Sequence, residues 1–529
     1  MHYSSFVSNF IGLRRQILLL ADQPWQTYLL SSVARKLHEL DGGLEIVICL
    51  TDYFTFIHGR DILEYLAAQP YLKVCTQEQN YISWQIKGSP PTKDLDTLLQ
   101  NWETNNCHKR TLLEIEKCNA WVFGNERGKF FLKLDASWRK QILWDTILWI
   151  EEILEHEYDL IISIERSTLP TNLINEVATK NGVKFLSFLP SRIQNRWILR
   201  ENLGIGMKLH DFNQLKTHSE NKQGNYVASD LISQINNEKS GSYSSLQNLE
   251  RSRFEMRKEF PFKSFAIAIR ALLGRIFNRM YREKKNFPFH IIRLEQNLFK
   301  LTLLEIQKET IKFLHSIGLY EVGVKVPIDT EFFFWSLHTR PEGSVLATSS
   351  GVDEIEVLKK TCGILPPNIK LMVKESSEMF GIRDINFYAK LRRLPGVVLV
   401  DPYVNSYPFL KKCIGVLGLS GTVLLEAEMM NKPSYSFGRP EFDMILSGFR
   451  FSSVKDFVKS VHDGFAFDNQ SLIQSYVTSI LEEDETNLLF LDGLQVDGST
   501  TEAQMKSKEI EITASSFANR ILKVLTNGN

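Results

Sequence analysis

Leu419-Ser-Gly-Thr-Val-Leu-Leu-Glu-Ala-Glu428, followed at once by Asn431-Lys-Pro433 and Phe437-Gly438, decides how this chain is read. An apolar run from Cys413 to Leu419 feeds a turn of small residues, Ser420-Gly421-Thr422, and a helix opens at Val423 with Glu426 in its first turn. Lys432-Pro433 then leads into a short strand, Ser434 to Phe437. A strand-to-helix turn of this kind aims backbone N–H groups and the positive end of a helix at an anion, usually a phosphate. A carboxylate one turn further on can receive sugar hydroxyls. The combination suits a nucleotide-sugar, although a Ser-Gly-Thr turn is also an ordinary helix cap.

Working outward, alternating elements fill the chain on both sides of a polar middle. Gln16 to Ala21 reads as a buried strand, Trp25 to Leu40 as a helix and Leu44 to Leu50 as a second strand. After an aromatic-rich helix from Trp138 to His156, the pattern returns with a strand at Asp159–Ile164, a helix at Pro170–Asn181 and a strand at Val183–Phe188. Pro170 at the helix start and Gly182 just past its end fit the usual asymmetry of helix termini. Gln214 to Asn248 is rich in Ser, Asn, Gln and Lys and reads as a surface linker. Helices are expected at Arg253–Lys285 and Phe289–Ile317. A second alternating set then begins, with strands at 332–337, 369–374 and 397–400 and helices at 352–361 and 386–393. The closing helices are expected at Asp468–Glu483 and Ser515–Leu525.

The expected architecture is therefore α/β, with two Rossmann-like domains facing a cleft and linking and C-terminal helices. The divisions are an acceptor-side domain at 1–250, linking helices at 251–325, a nucleotide-sugar-binding domain at 326–465, and helices folding back at 466–529.

Composition narrows the function. The 529 residues are 43% hydrophobic and 23% charged, ordinary globular values, with 62 basic and 62 acidic residues. That balance gives no global field for nucleic acid. Six cysteines without a CxxC pairing read as reduced packing residues, and no apolar run reaches the roughly 18–20 residues of a membrane span. The expected setting is cytoplasmic. Residues 251–290 carry eleven basic side chains against three acidic ones, a net of +8, with apolar residues from Phe262 to Met280 at helical spacing. A helix of that kind can lie on the inner face of an anionic membrane, or pack between domains with its basic face in water.

From about 332 to 443 the chain resembles the capsule-type polysaccharide biosynthesis proteins, a group of GT-B-like glycosyltransferases. The resemblance runs through Leu337-His338, Arg340-Pro341-Glu342, Val373-Lys374-Glu375, Gly381, Arg383, Phe387-Tyr388, Leu394-Pro395, Val397 to Pro402 and Ser406. It closes on Ser420-Gly421-Thr422, Glu426-Ala427, Lys432-Pro433 and Phe437-Gly438. Ser191-Arg192 with Asn195-Arg196 is similar to the same group in the first half. The family reads Lys-Glu-His-Pro where this chain has Lys374-Glu375-Ser376-Ser377, so the histidine expected at the donor phosphate is missing there.

The resemblance implies transfer of a sugar from a nucleotide donor to a surface polysaccharide or its lipid-linked precursor. The partners expected are a nucleotide-sugar and a glycan or glycolipid acceptor, with no resident cofactor and no metal. Two rival expectations stand beside it: a nucleotide-sugar epimerase on the same plan, and a non-catalytic subunit of a polysaccharide assembly complex.

Roles follow from position. Ser420, Gly421 and Thr422 are the candidate phosphate donors, and Glu426 the ribose acceptor. Lys374 and Glu375 end a strand and are expected to point into the cleft, while Arg383 would balance donor charge. His338 follows another strand, with Glu342 four residues on. Asp22, after the first strand, is the favoured base for the acceptor hydroxyl, and Glu165 is second.

Overall fold

The computed structural model describes residues 15–21, 24–50, 65–76, 94–107, 111–118, 136–164, 168–193, 196–201, 203, 205–220, 228–230, 232–233, 307, 310–311, 330–338, 348–349, 352–376, 379, 383, 385–402, 404–483 and 508–527. Its first body runs β1 (Gln16–Ala21), α1 (Pro24–Leu40), β2 (Glu45–Leu50), β3 (Leu72–Thr76), α2 (Leu95–Asn106), α3 (Leu112–Cys118), α4 (Ala136–Leu154), β4 (Leu160–Ser163), α5 (Leu169–Lys180), β5 (Lys184–Pro190), β6 (Trp197–Glu201) and α6 (Leu209–Glu220). The second runs β7 (Phe332–Ser336), α7 (Glu354–Cys362), β8 (Lys370–Lys374), α8 (Ile385–Arg392), β9 (Val397–Val400), α9 (Tyr407–Lys412), β10 (Gly415–Gly418), α10 (Thr422–Met429) and β11 (Ser434–Ser436). Two short 3-10 turns, Asp443–Ile445 and Ser447–Arg450, precede α11 (Val454–His462), α12 (Gln470–Glu483) and α13 (Lys508–Asn527).

The expected pair of Rossmann-like bodies is present. Sheet order is β3-β2-β1-β4-β5-β6 in the first and β11-β10-β7-β8-β9 in the second. All pairings are parallel except β5 with β6. Each sheet thus reverses direction beside its first strand, between β1 and β4 and between β7 and β10. Ligands of open α/β sheets lie outside the carboxyl ends of the strands at such a switch point.

Local chemistry explains the elements. The β1 strand is apolar because both faces are covered, and Ile17 to Ala21 are fully buried. Thr168 caps α5 by accepting from the Thr171 N–H, with Pro170 inside the start, and Gly182 ends it at φ +74°. Asp353 caps α7 by accepting from the Ile355 N–H at 3.0 Å.

The polar stretch expected as a linker begins instead as helix. The α6 helix continues to Glu220, held by Phe212 and buried Leu215, and residues 228–230 and 232–233 are also helical. Phe212 and Leu215, docked against α12, outweigh a composition that favours a loop. Of the expected linking helices, Arg253–Lys285 lies outside the described residues, and Phe289–Ile317 is described only at 307 and 310–311, which are helical.

The two bodies share a core. Leu189, Ile198, Met207 and Leu215 cluster with Phe332, Phe442 and the α12 residues Ile473, Tyr476 and Val477. Glu483, at the end of α12, accepts from the Leu199 N–H at 2.6 Å and pairs with Arg200 and Arg520. Helix α13 lies on α1, where Phe517 stacks on Phe188 and Glu511 pairs with Arg35. The C-terminal helix of the chain is therefore packed in the core of the first body.

Candidate functional site

The second switch point joins two strand ends, Leu337-His338 after β7 and Leu419-Ser420-Gly421 after β10. The chain brings them into contact: the Ser420 N–H donates to His338 Nε2 at 3.0 Å. The other ring nitrogen, Nδ1, lies 3.2 Å from the Ser336 carbonyl oxygen. A carbonyl only accepts, so Nδ1 carries the proton and Nε2 is the acceptor. His338 is in this way a neutral prop beneath the turn, with both nitrogens occupied. The histidine that touches the turn is the His338 candidate that follows β7, while the position after Glu375, where the resembling family has a histidine, holds Ser376.

A second loop closes the turn from the other side. The N–H groups of Phe437 and Gly438 donate to the carbonyls of Gly418 and Leu419 at 2.9 and 2.8 Å, and Ser436 Oγ also donates to Leu419. A Cβ at Gly438 would stand 2.7 Å from the Leu419 oxygen and 3.1 Å from that of Thr348, both backbone atoms. Only glycine fits there. Gly421 has an ordinary φ of −72°, but a Cβ would press on the His338 ring at 3.3 Å.

Three donors are left over at the start of α10. The backbone N–H groups of Gly421, Thr422 and Val423 have no acceptor among the described residues, and no side chain caps the helix. Ser420 is 2% exposed, and its Oγ has no hydrogen-bond partner. A buried hydroxyl left unsatisfied costs about 1–3 kcal/mol, so its survival calls for an explanation. An anion at the helix start would use all four donors. Glu426 is half-buried one turn further along α10.

Behind the turn lies a buried charged set. Arg383, 1% exposed, donates to Glu375 Oε2 at 2.7 Å and to the His338 carbonyl, lies 3.6 Å from Glu354 Oε2, and covers the Phe387 ring at 4.6 Å. Glu375 also accepts from the Ser376 N–H at 2.8 Å and the Tyr388 hydroxyl at 3.1 Å. Burial pushes its carboxyl up against the pull of Arg383, and Glu354 adds to the rise. Glu354 Oε1 accepts from Trp335 Nε1 at 3.2 Å and more weakly from the His338 N–H at 3.4 Å.

These positions correct the sequence reading. Arg383 is an internal strut gripping the strand end that carries His338, because Glu354 and Glu375 meet it from two elements. Glu375 is 4% exposed with both oxygens engaged, and Lys374 is 5% exposed with its Nζ donating to the Pro402 carbonyl at 3.1 Å. Both strand-end residues are buried and engaged with protein groups. Asp22, Glu165 and Glu342 lie outside the described residues, although β1 and β4, which Asp22 and Glu165 follow, are neighbours in register at Leu20 and Ser163.

Two residues escaped the sequence reading. Glu354 looked like an ordinary acidic residue in a first helical turn, and only the fold sets it against Arg383. Glu428 is the other. It is 3% exposed, and it accepts from the N–H and hydroxyl of both Ser434 and Ser447 and from Asn469 Nδ2, at 2.7–3.2 Å. It ties the far end of α10 to β11 and to the start of α12. Burial nonetheless pushes its carboxyl up. Among the described residues no group of three or more His, Cys, Asp or Glu is placed to hold a metal.

No family model and no curated protein matches the chain. Among solved structures it is similar to UDP-GlcNAc 2-epimerase from Methanocaldococcus jannaschii, at 12% identity over 97% of this chain and 99% of that one, with a TM-score of 0.21. It is similar to CalG4, the calicheamicin glycosyltransferase, at 12% identity over 98% of each chain and a TM-score of 0.23. Anabaena Alr3699/HepE in complex with UDP and glucose gives 9% identity over 97% of this chain and all of that one, with a TM-score of 0.26. Likenesses this distant say nothing of ligand or reaction here, and the site stands on its own geometry.

Proposed function

We propose that this chain is a glycosyltransferase, moving a sugar from a nucleotide-sugar donor to a surface, capsular-type polysaccharide or its lipid-linked precursor. The observation that carries the reading is the set of four unused donors at the second switch point: Ser420 Oγ and the N–H groups of Gly421, Thr422 and Val423. A donor phosphate bound there would take up the negative charge that grows as the anomeric carbon–oxygen bond breaks. Glu426 would receive the ribose hydroxyls. The acceptor oxygen would attack the anomeric carbon as its proton passes to a carboxylate of the first body, Asp22 first and Glu165 second. His338, Arg383, Glu354 and Glu375 hold the turn in position from behind. Glu342 and Lys374 are retained as neighbours of the donor site. The basic segment 251–290, outside the described residues, would bring the chain to an anionic cytoplasmic membrane face where a lipid-linked acceptor resides.

The test is a thermal-shift panel of CMP, UDP, GDP and ADP sugars, followed by product analysis with the donor it selects. A ligand that binds the folded chain raises its apparent stability by mass action. Free nucleotide released only when acceptor is present supports transfer. Isomerised nucleotide-sugar without acceptor would make the chain an epimerase, and no shift with any donor would leave a non-catalytic subunit.

A further inference from the structure

The first body holds a cluster of thiols away from the candidate site. Strands β2 and β3 run parallel with Cys49 directly opposite Cys75. Neighbouring strands lie about 4.8 Å apart, within the roughly 4.4–6.8 Å between Cα atoms that a disulfide spans. Residues in register on adjacent strands face the same side, and the two cysteines meet in one apolar cluster with Tyr158. Burial, and then the nearness of both sulfurs, pushes the Tyr158 phenol well up. Neither cysteine is in a disulfide in this structure.

Their accessibility differs. Cys49 is fully buried, whereas Cys75 is half-buried on β3, the edge strand of the sheet. Cys75, on the outer strand, keeps some exposed surface, and Cys49, in register on the strand inside it, keeps none. Each stands one residue before the end of its strand, at the carboxyl edge of the sheet.

We infer that Cys49 and Cys75 form a redox-responsive dithiol, in which Cys75 reacts with a small disulfide and Cys49 resolves the product. With oxidised glutathione, the Cys75 thiolate attacks one sulfur, the glutathione S–S bond breaks, and one glutathione leaves with the Cys75 proton. The Cys49 thiolate then attacks the Cys75 sulfur, and the second glutathione leaves with the Cys49 proton. Two electrons pass from the protein thiols to the glutathione disulfide. The new bond ties the strand ends from which the chain leaves β2 and β3. This inference does not depend on the proposed function.

The experiment treats the native full-length chain with oxidised glutathione and maps its cysteines by mass spectrometry of a non-reducing digest. The expected product is a linked peptide pair carrying Cys49 and Cys75, two hydrogens lighter than the separate peptides. It should be accompanied by a raised melting temperature that dithiothreitol reverses. Cys49→Ala, which keeps the core apolar, should trap glutathione on Cys75, and Cys75→Ser should abolish both products. A bond from Cys75 to Cys107, a stable glutathione adduct on Cys75 of the unaltered chain, or linkage formed only after denaturation would each overturn the inference.

Discussion

The two bodies share one strand order around their first strand and differ in what they place at its end. In the first, β1 and β4 end at Ala21 and Ser163, and the helix beyond β4 buries neutral polar side chains, Thr171, Asn172 and Asn175, with the acid Glu176. In the second, the strands lead to His338 and Ser420, backed by Arg383 between two buried carboxylates. The helix beyond β4 buries mainly hydroxyls and amides, whereas the turn after β7 and β10 is backed by buried charge. Topology makes the place for a ligand, and the residues at the strand ends decide which ligand suits it.

The largest effect that would sharpen this contrast is expected at Arg383. Arg383→Met leaves Glu375 and Glu354 buried without a counter-charge, and denaturant unfolding should show a loss of about 3–5 kcal/mol. Ser187→Ala in the first body removes a buried hydroxyl that has no partner, so its stability should change by less than about 0.5 kcal/mol. Equal losses in the two variants would erase the difference between the bodies.

Gly438→Ala comes next. The added methyl must displace backbone at Leu419 or Thr348, which should cost about 1–3 kcal/mol and weaken nucleotide binding at the same time. Calorimetric titration with the nucleotide that the thermal-shift panel selects, alongside thermal unfolding, would read both. Unchanged binding in a destabilised variant would separate the loop from the site.

A smaller, pH-dependent effect is expected at Glu428. Its carboxyl is raised by burial in the folded chain, so its contribution to stability is fully present below the ordinary glutamate value and is lost as pH rises through the folded value. Compared with Glu428→Gln, the unaltered chain should gain relative stability on acidification from neutral pH. Unfolding free energies of the two proteins that run parallel across that range would contradict the assignment.

Ser420→Ala should have the smallest effect on folding and an informative one on binding. The hydroxyl has no partner to lose, so stability should hold or rise slightly, while affinity for the nucleotide that the thermal-shift panel selects falls about tenfold for one hydrogen bond to a charged group. A variant that binds as tightly as the unaltered chain would remove Ser420 from the site.

Much of the fold could be read along the chain because its signals are local. The Ser420 turn stands between an apolar run and a helix, and Pro170 and Gly182 bracket α5 as helix ends should. The omissions are equally physical. Strand β3, Leu72–Thr76, has five residues with Val74 and Cys75 side by side, too short and too irregular to stand out. Strand β6 is an antiparallel return whose Arg200 and Glu201 mask its period. The burial of Arg383 was beyond a linear reading, since its partners Glu354 and Glu375 come from separate elements and only packing unites them. Charged side chains are seldom buried without such pairing, so the sequence alone placed Arg383 at the ligand.

The central claim is that the second switch point takes an anion on the four unused donors around Ser420. A crystal structure of the chain with the nucleotide that the thermal-shift panel selects tests it most directly. Phosphate oxygens should lie within hydrogen-bond distance of Ser420 Oγ and the Thr422 N–H, with His338 still accepting from the Ser420 N–H. Phosphate bound instead beyond β1 and β4, with the Ser420 turn unoccupied, would contradict the account.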